Sequence, residues 1–172
     1  MRSTSVITFK PRHQRAFSLA ELIAVLVIIG ILVTVALPDM ASSNRTYLLD
    51  AAANRILAAL RFAQSQAVTT GTDHGCLITP SANTFSVFQA VGAPPYPTAT
   101  DPVKKTPYTV DFDTEPGFGG ITISSTTFPA DTITFDSLGS PDNGGTITLS
   151  LSGFNKLVAV SAVTGLIEKT DP

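Results

Sequence analysis

A long apolar stretch near the amino terminus most constrains what this chain can fold into. Residues 17–37 read FSLAELIAVLVIIGILVTVAL, and Glu21 is the only charged residue among them. A helix rises about 1.5 Å per residue, so this stretch would extend about 31 Å, close to the thickness of a bilayer's hydrocarbon core. The sequence therefore predicts a transmembrane helix over residues 17–37.

The sixteen residues before this stretch contain four basic residues and no acidic one; the basic residues are Arg2, Lys10, Arg12 and Arg15. Basic flanks of a transmembrane helix stay on the cytoplasmic side of the membrane. We therefore expect a single-pass membrane protein, with a cytoplasmic amino terminus and a carboxyl-terminal domain after Leu37 on the other side of the membrane.

Three interpretations of the apolar stretch compete: a plain membrane anchor, a secretory signal cleaved near Ala36, and a segment in which Glu21 has a function of its own. A carboxylate near the start of an apolar helix costs up to about 2.5–3.5 kcal/mol, and charged residues kept in such positions are usually functional. A secretory signal gains nothing from one. Glu21 therefore favours the third interpretation.

The residues around Glu21 carry a specific resemblance. Residues 15–21, RAFSLAE, resemble the processing site of type IV prepilins and type II secretion pseudopilins, and Pro38 matches the proline that usually follows the apolar run. The resemblance implies that residues 1–16 are a leader peptide, that prepilin peptidase cuts between Ala16 and Phe17, and that the new amino group of Phe17 is methylated. It also implies a role for Glu21 in filament assembly. Ala16 departs from the glycine usual before the cut.

A helical pattern continues after Pro38. Apolar residues recur at spacings of three and four up to Ala67, polar residues take the opposite side, and Gly71 is a plausible stop. The sequence predicts an amphipathic helix over residues 38–70 that continues the helical spine. Its apolar residues are Leu49, Ala52, Ile56, Leu60, Ala63 and Ala67.

From Gly75 onward apolar and polar residues alternate, with turn sequences between the runs. This alternation is typical of antiparallel strands with one wet face, and short turns between consecutive strands favour a meander. Residues 71–172 should therefore form a periplasmic antiparallel β domain. Residues 91–107 contain five prolines, which exclude a central strand, and are expected to form a surface loop that is either functional or simply mobile.

The net charge of the chain indicates which classes of partner it can bind. Four of the eleven basic residues lie in the leader, so the chain from Phe17 onward has 11 − 4 = 7 basic against 13 acidic residues, a net charge of about −6. Nucleic-acid binding depends on neutralising phosphates with basic residues. We expect no nucleic-acid partner; if DNA were bound, Lys104, Lys105 and Lys156 would be the candidates.

The single cysteine, Cys76, excludes an internal disulfide and is expected to be buried in a strand. His74 lies two residues away, with Asp73 beside it, so a cysteine–histidine dyad is conceivable. Zinc would need three or four ligands, and His13 lies in the leader. We predict no catalytic residues, no metal and no cofactor.

Three acidic residues, Asp111, Asp113 and Glu115, alternate along the chain, so an extended strand would point all three carboxylates the same way. Calcium takes clustered oxygen ligands. The spacing of the calcium loop known from some pseudopilins is not reproduced here, and we interpret the three residues as a solvated strand edge.

The whole layout resembles the GspH/FimT family of minor pseudopilins and minor pilins. Residues 133–139, 145–149 and 160–165 carry the resemblance in the carboxyl-terminal half. It implies a pilin-like α+β fold, in which a long N-terminal helix packs on antiparallel β-sheets. Some members bind DNA through arginines after the last Thr-Gly. Here residues 166–169, LIEK, follow Gly165, so that site is not supported.

These observations favour a minor pseudopilin of a type II secretion system. Such a protein would join other pseudopilins in a short periplasmic pseudopilus that drives protein export, after processing by prepilin peptidase. A minor pilin of a type IV pilus, serving pilus initiation or DNA uptake, is the alternative with the same architecture. A membrane-anchored binding module without a filament role is the alternative of another class.

Processing gives the first testable prediction. Mass spectrometry of the protein purified from membranes should show a chain that starts at Phe17 and carries an N-methyl group. Because Ala16 replaces glycine, a mixture of cut and uncut protein is compatible with this prediction. An intact leader throughout, or a chain starting near Leu37, would contradict it.

Overall fold

The computed structural model describes residues 18–171, except for the side chains of residues 34–43. The chain divides into two compact units, Met1–Met40 and Ala41–Pro172. One helix, α1, spans Leu19–Thr70. It ends at Gly71, whose positive φ of 66° and N–H bond to the carbonyl of Ala67 are typical of a glycine that terminates a helix.

Eight strands follow the helix, all of them in the second unit. They are β1 His74–Thr79, β2 Thr84–Gln89, β3 Thr109–Asp111, β4 Thr122–Thr126, β5 Thr132–Phe135, β6 Gly145–Leu151, β7 Phe154–Val160 and β8 Ile167–Thr170. Short 3₁₀ turns at Pro80–Ala82 and Pro129–Asp131 precede β2 and β5.

The strands form two antiparallel sheets of four strands each. The first sheet has the order β3-β2-β1-β5, and the second has the order β4-β6-β7-β8. The prediction of a simple meander is wrong for β4 and β5. In the sheets, β4 lies beside β6 and β5 lies beside β1, so neither lies next to a strand that is adjacent to it in sequence. Alternation of apolar residues decides which side chains are buried, whereas strand pairing is decided by contacts between residues distant in sequence.

The core lies between the helix and both sheets. The predicted apolar face of α1 is confirmed, since its residues from Leu49 to Ala67 are at most 2% exposed. They join one hydrophobic cluster with strand residues of both sheets, among them Phe85 and Ile133 of the first sheet and Ile147 and Val158 of the second.

A buried asparagine ties the two sheets together where the β1–β2 turn approaches β4. Asn83 adopts a left-handed conformation with a φ of 53°. Its side chain donates to the carbonyl of Ile121 at 2.8 Å and accepts from the N–H of Ile123 at 2.8 Å. Asn83 also donates to a carboxylate oxygen of Asp113 at 2.7 Å. These bonds satisfy polar groups that would be costly to bury unpaired.

Helix packing gives the second prediction. Replacing Ile56, which is fully buried, by aspartate puts an unpaired charge into the core and leaves part of its space empty. We expect Ile56→Asp to lower the free energy of unfolding by about 3–5 kcal/mol, measured by thermal or denaturant unfolding.

Asn54→Asp is the matched control, because Asn54 lies on the exposed side of the same helix. This variant should unfold like the wild type. Equal stability of Ile56→Asp and Asn54→Asp would contradict the packing of α1 on the sheets.

Candidate functional site: the exposed start of the helix and the loops of the β domain

The first part of α1 exposes an apolar surface on every side. All side chains of residues 18–33 are exposed, including eleven large apolar ones such as Leu19 at 77% and Leu32 at 63%. A helix that is apolar all round is normally covered by other protein or by lipid. Residues 18–33 therefore need a cover of lipid or of other protein.

Within the described part of the chain, no helix combines the length and the hydropathy needed to cross a membrane.

Glu21 lies in the first turn of α1, and its side chain is exposed. The N–H groups of Glu21 and Leu22 both donate to the carbonyl of Ser18, at 3.0 and 3.2 Å, which starts the helix. A carboxylate in the first turn is stabilised by the positive end of the helix dipole. In sequence, no basic residue occurs between Phe17 and Asn44. Ala16 and Phe17 lie outside the described residues, so the processing site stays a prediction.

The proline-rich segment of residues 91–107 is exposed along most of its length but held to the sheet by main-chain bonds. The N–H of Gln89 donates to the carbonyl of Pro97 at 3.0 Å, and the N–H of Ala99 donates to the carbonyl of Val87 at 2.8 Å. The N–H of Tyr108 then donates to the carbonyl of Ala99 at 2.7 Å. Residues 97–99 therefore pair with the end of β2 and extend the first sheet. This pairing favours an ordered loop over a mobile one.

Asp101 anchors the tip of this loop from a buried position. One carboxylate oxygen accepts hydrogen bonds from the N–H groups of Val103 at 2.7 Å and Lys104 at 2.9 Å, and the other lies 3.9 Å from the guanidinium of Arg55 on α1. Burial raises the pKa of Asp101, but the two N–H bonds and the charge of Arg55 outweigh it, and the pKa falls below the usual 3.8. The charged anchor therefore stabilises the fold fully above the ordinary pKa of 3.8, and this stabilisation is lost as the pH falls through the lowered pKa.

The helix contacts the same loop through an aromatic pair. The guanidinium of Arg55 donates to the hydroxyl of Tyr108 at 3.3 Å and lies 5.4 Å from the centre of its ring. Phe62, two turns further along α1, stacks on the ring of Tyr108 at 5.3 Å. The loop is therefore fixed at its tip by Asp101 and just beyond its carboxyl end by Tyr108.

The structure does not support a catalytic pair of Cys76 and His74. His74 and Cys76 are both buried, as expected for alternate residues of β1. Burial raises the pKa of the Cys76 thiol to about 12, so the thiol stays protonated and is a poor nucleophile at neutral pH. A ring nitrogen of His74, Nδ1, lies 2.8 Å from the carbonyl oxygen of Thr72.

The three alternating acidic residues have separate partners. Asp111 accepts from the N–H of Asp113, which curls the chain at the end of β3. Asp113 accepts from the side chain of Asn83, and Glu115 pairs with Lys104 at 3.0 Å. Among residues 18–171, as far as their side chains are described, no group of three or more potential ligands is arranged to hold a metal ion.

The candidate lysines for DNA binding are partly neutralised. Lys156 is 8% exposed and lies 2.7 Å from Asp171 and 2.9 Å from Asp50 of α1. The bonds to Asp171 and Asp50 raise the pKa of Lys156. Lys104 pairs with Glu115, so two of the three candidate lysines lie beside carboxylates.

Two glycine turns of the carboxyl-terminal half meet at a single glutamine of α1. The side-chain amide of Gln64 donates to the carbonyl of Gly139 at 2.8 Å and to that of Gly165 at 3.3 Å. Both glycines have positive φ, 80° and 63°, and a Cβ on Gly139 would lie 3.1 Å from Val68. These turns belong to the segments that carry the family resemblance, and their glycines are explained by close approach to the helix.

Comparison with known proteins places this geometry in a family. The family model "Type II transport protein GspH" matches residues 52–165, and the model "Prokaryotic N-terminal methylation motif" matches residues 11–37. No curated protein matches the chain.

Solved structures share the fold at low sequence identity. The minor pseudopilin EpsH from the type 2 secretion system of Vibrio cholerae is 15% identical, covering 72% of this chain and 97% of its own, with a TM-score of 0.57. The type IV minor pilin FimU of Pseudomonas aeruginosa is 16% identical, covering 71% of this chain and 87% of its own, with a TM-score of 0.51. These likenesses confirm the predicted pilin-like α+β fold. Because the GspH model matches more than half of this chain, the chain belongs to the GspH family of type II transport proteins.

Proposed function

We propose that this protein is a minor pseudopilin of a bacterial type II secretion system, built with other pseudopilins into a short periplasmic filament that drives protein export. The GspH family match over the folded domain carries this proposal. The exposed apolar helix of residues 18–33 supports it, because subunits of such a filament would cover one another's helices.

The amino-terminal segment would fix the protein in the inner membrane. The basic leader of residues 1–16 favours a cytoplasmic amino terminus, and the methylation-motif match over residues 11–37 supports cleavage between Ala16 and Phe17 by prepilin peptidase. Residues 17–37 would then lie in the membrane, with the β domain in the periplasm. Methylation would leave the new amino group of Phe17 charged.

Glu21 would set the register of assembly. Cleavage removes the leader's basic residues and creates a single new cation, the amino group of Phe17. In an apolar environment the attraction between this cation and a carboxylate is far larger than in water, and either charge left alone is costly. We expect Glu21 of an incoming subunit to meet the amino terminus of a subunit already in place.

This function requires no catalytic residue and no cofactor from the chain. The high pKa of Cys76 and the separate partners of the acidic residues are consistent with a structural role. The pairing of Lys104 and Lys156 with carboxylates disfavours a nucleic-acid partner.

A minor pilin of a type IV pilus is the second candidate, favoured by the structural likeness to FimU. The two candidates share their processing, anchoring and use of Glu21, and differ in the subunits they join. The identity of the proteins that co-purify with this chain therefore distinguishes them: type II pseudopilins in the first case, type IV pilins in the second.

The third prediction tests Glu21. Glu21→Ala should leave membrane insertion and cleavage before Phe17 intact and should abolish most recovery of partner pseudopilins, because the carboxylate that pairs with the neighbouring amino terminus is gone. The measurement is crosslinking followed by co-purification from membranes, with the cleaved amino terminus checked by mass spectrometry.

Glu168→Ala is the matched control, since it removes an exposed carboxylate from β8. It should recover partners as well as the wild type does. Equal recovery by Glu21→Ala and Glu168→Ala would exclude the role given to Glu21.

A further inference from the structure

A pocket of about 410 Å³ lies on the face of the first sheet that points away from the core. Leu77 of β1 and Ser86 of β2 form its floor; both belong to the strand positions that alternate with buried residues such as Cys76 and Val87. The proline-rich loop forms a wall with Pro94, Pro95 and Tyr96. The volume falls within the range of small-ligand and peptide sites, roughly 300–1,000 Å³.

An aromatic pair makes this pocket rigid. A Cβ on Gly75 would clash with the ring of Phe88 and with the carbonyl of Ile133, so only a glycine there lets that ring lie across the strand. Tyr96 stacks on Phe88 with ring centres 5.2 Å apart and an angle of 18° between the rings. Phe88 is thereby held between the sheet and the loop, and Tyr96 is fixed as a wall of the pocket before any ligand arrives. Such preorganisation lowers the entropic cost of binding.

The chemistry of the lining selects for an uncharged ligand. None of the residues that line the pocket is acidic or basic, so a charged group would lose its hydration without gaining a partner. The hydroxyls of Ser86 and Thr98 can also form hydrogen bonds with a ligand, because neither makes a side-chain hydrogen bond within the described part of the chain. The pocket thus combines aromatic and aliphatic surface with two hydroxyl groups available to a ligand.

We propose that this pocket binds an extended, uncharged, proline-containing segment of a partner protein. A polyproline II segment has no internal hydrogen bonds, so its carbonyls need donors, which Ser86 and Thr98 supply. Its proline rings pack well on aromatic walls such as Tyr96, the mode by which aromatic-lined grooves recognise proline-rich peptides. This site is separate from the exposed helix start, and the inference does not depend on filament assembly.

Intrinsic fluorescence gives a direct test, because the chain contains no tryptophan. The probe is an end-blocked peptide, APPLPPAGW, titrated with the full-length protein in detergent, with a detergent-only blank. We expect saturable binding, followed by the anisotropy of the peptide's tryptophan. Leu77→Asp, which puts a charge on the pocket floor, and Tyr96→Ala, which removes the wall, should each weaken binding about tenfold or more.

Val163→Asp is the matched control, because Val163 is 93% exposed and does not line the pocket. It should bind the peptide like the wild type. A second peptide with alanine in place of every proline should bind at least about tenfold more weakly.

Several results would overturn the proposal. They are absence of saturable binding by the wild type, equal binding by natively folded Leu77→Asp and Tyr96→Ala variants, and equal affinity for the proline and alanine peptides. The thermal unfolding of each variant is compared with that of the wild type, so that misfolding is distinguished from a lost site. Failure here would leave the co-purification test of Glu21 unaffected.

Discussion

The burial of one face of helix α1 against two sheets is the interaction on which the β domain depends. Neither four-stranded sheet pairs with the other through a named strand, and one hydrophobic cluster contains residues of the helix and of both sheets. Five alanines of the buried face, at positions 52, 53, 59, 63 and 67, let the backbones approach closely. The larger residues Leu49, Ile56 and Leu60 supply apolar area, worth about 1.5–3 kcal/mol for each fully buried side chain.

Polar contacts then position the loops on this apolar core. Gln64 holds the two glycine turns, Arg55 and Asp101 hold the proline-rich loop, and Asn83 joins the β1–β2 turn to β4. Each contact uses a side chain that is at least partly shielded from water, where an unpaired donor or acceptor costs about 1–3 kcal/mol. Their contribution is therefore to select one arrangement of the turns, while burial of the helix face supplies most of the driving force.

The sequence predicts where helices and strands form better than it predicts which strands pair, and particular residues show why. The spacing from Leu49 to Ala67 predicts both the helix and its buried face, because a helix has one fixed period. Alternation likewise predicts the burial of Cys76, Phe85 and Ile147. The pairing of β5 with β1 is not encoded in any local pattern, and neither is the role of Asn83, whose partners lie about 30 to 40 residues away. The pocket at Tyr96 escaped prediction for the same reason: prolines exclude a strand without indicating where the loop lies.

The two ends of α1 differ in how far their side chains are buried, and this difference supports the proposed filament role. From Leu49 to Ala67 the apolar face of the helix is buried in one cluster with residues of both sheets, and polar residues such as Asn54 and Arg61 are exposed on the opposite side. From Leu19 to Val33 the described side chains are exposed on every side and apolar almost throughout, so no orientation of the helix could hide them against a single sheet. A surface of this kind is stable only when lipid or other subunits surround it. In the proposed filament, the carboxylate of Glu21 would then distinguish one register of assembly from another, because dispersion and hydrophobic contact along a uniform apolar helix favour many registers equally.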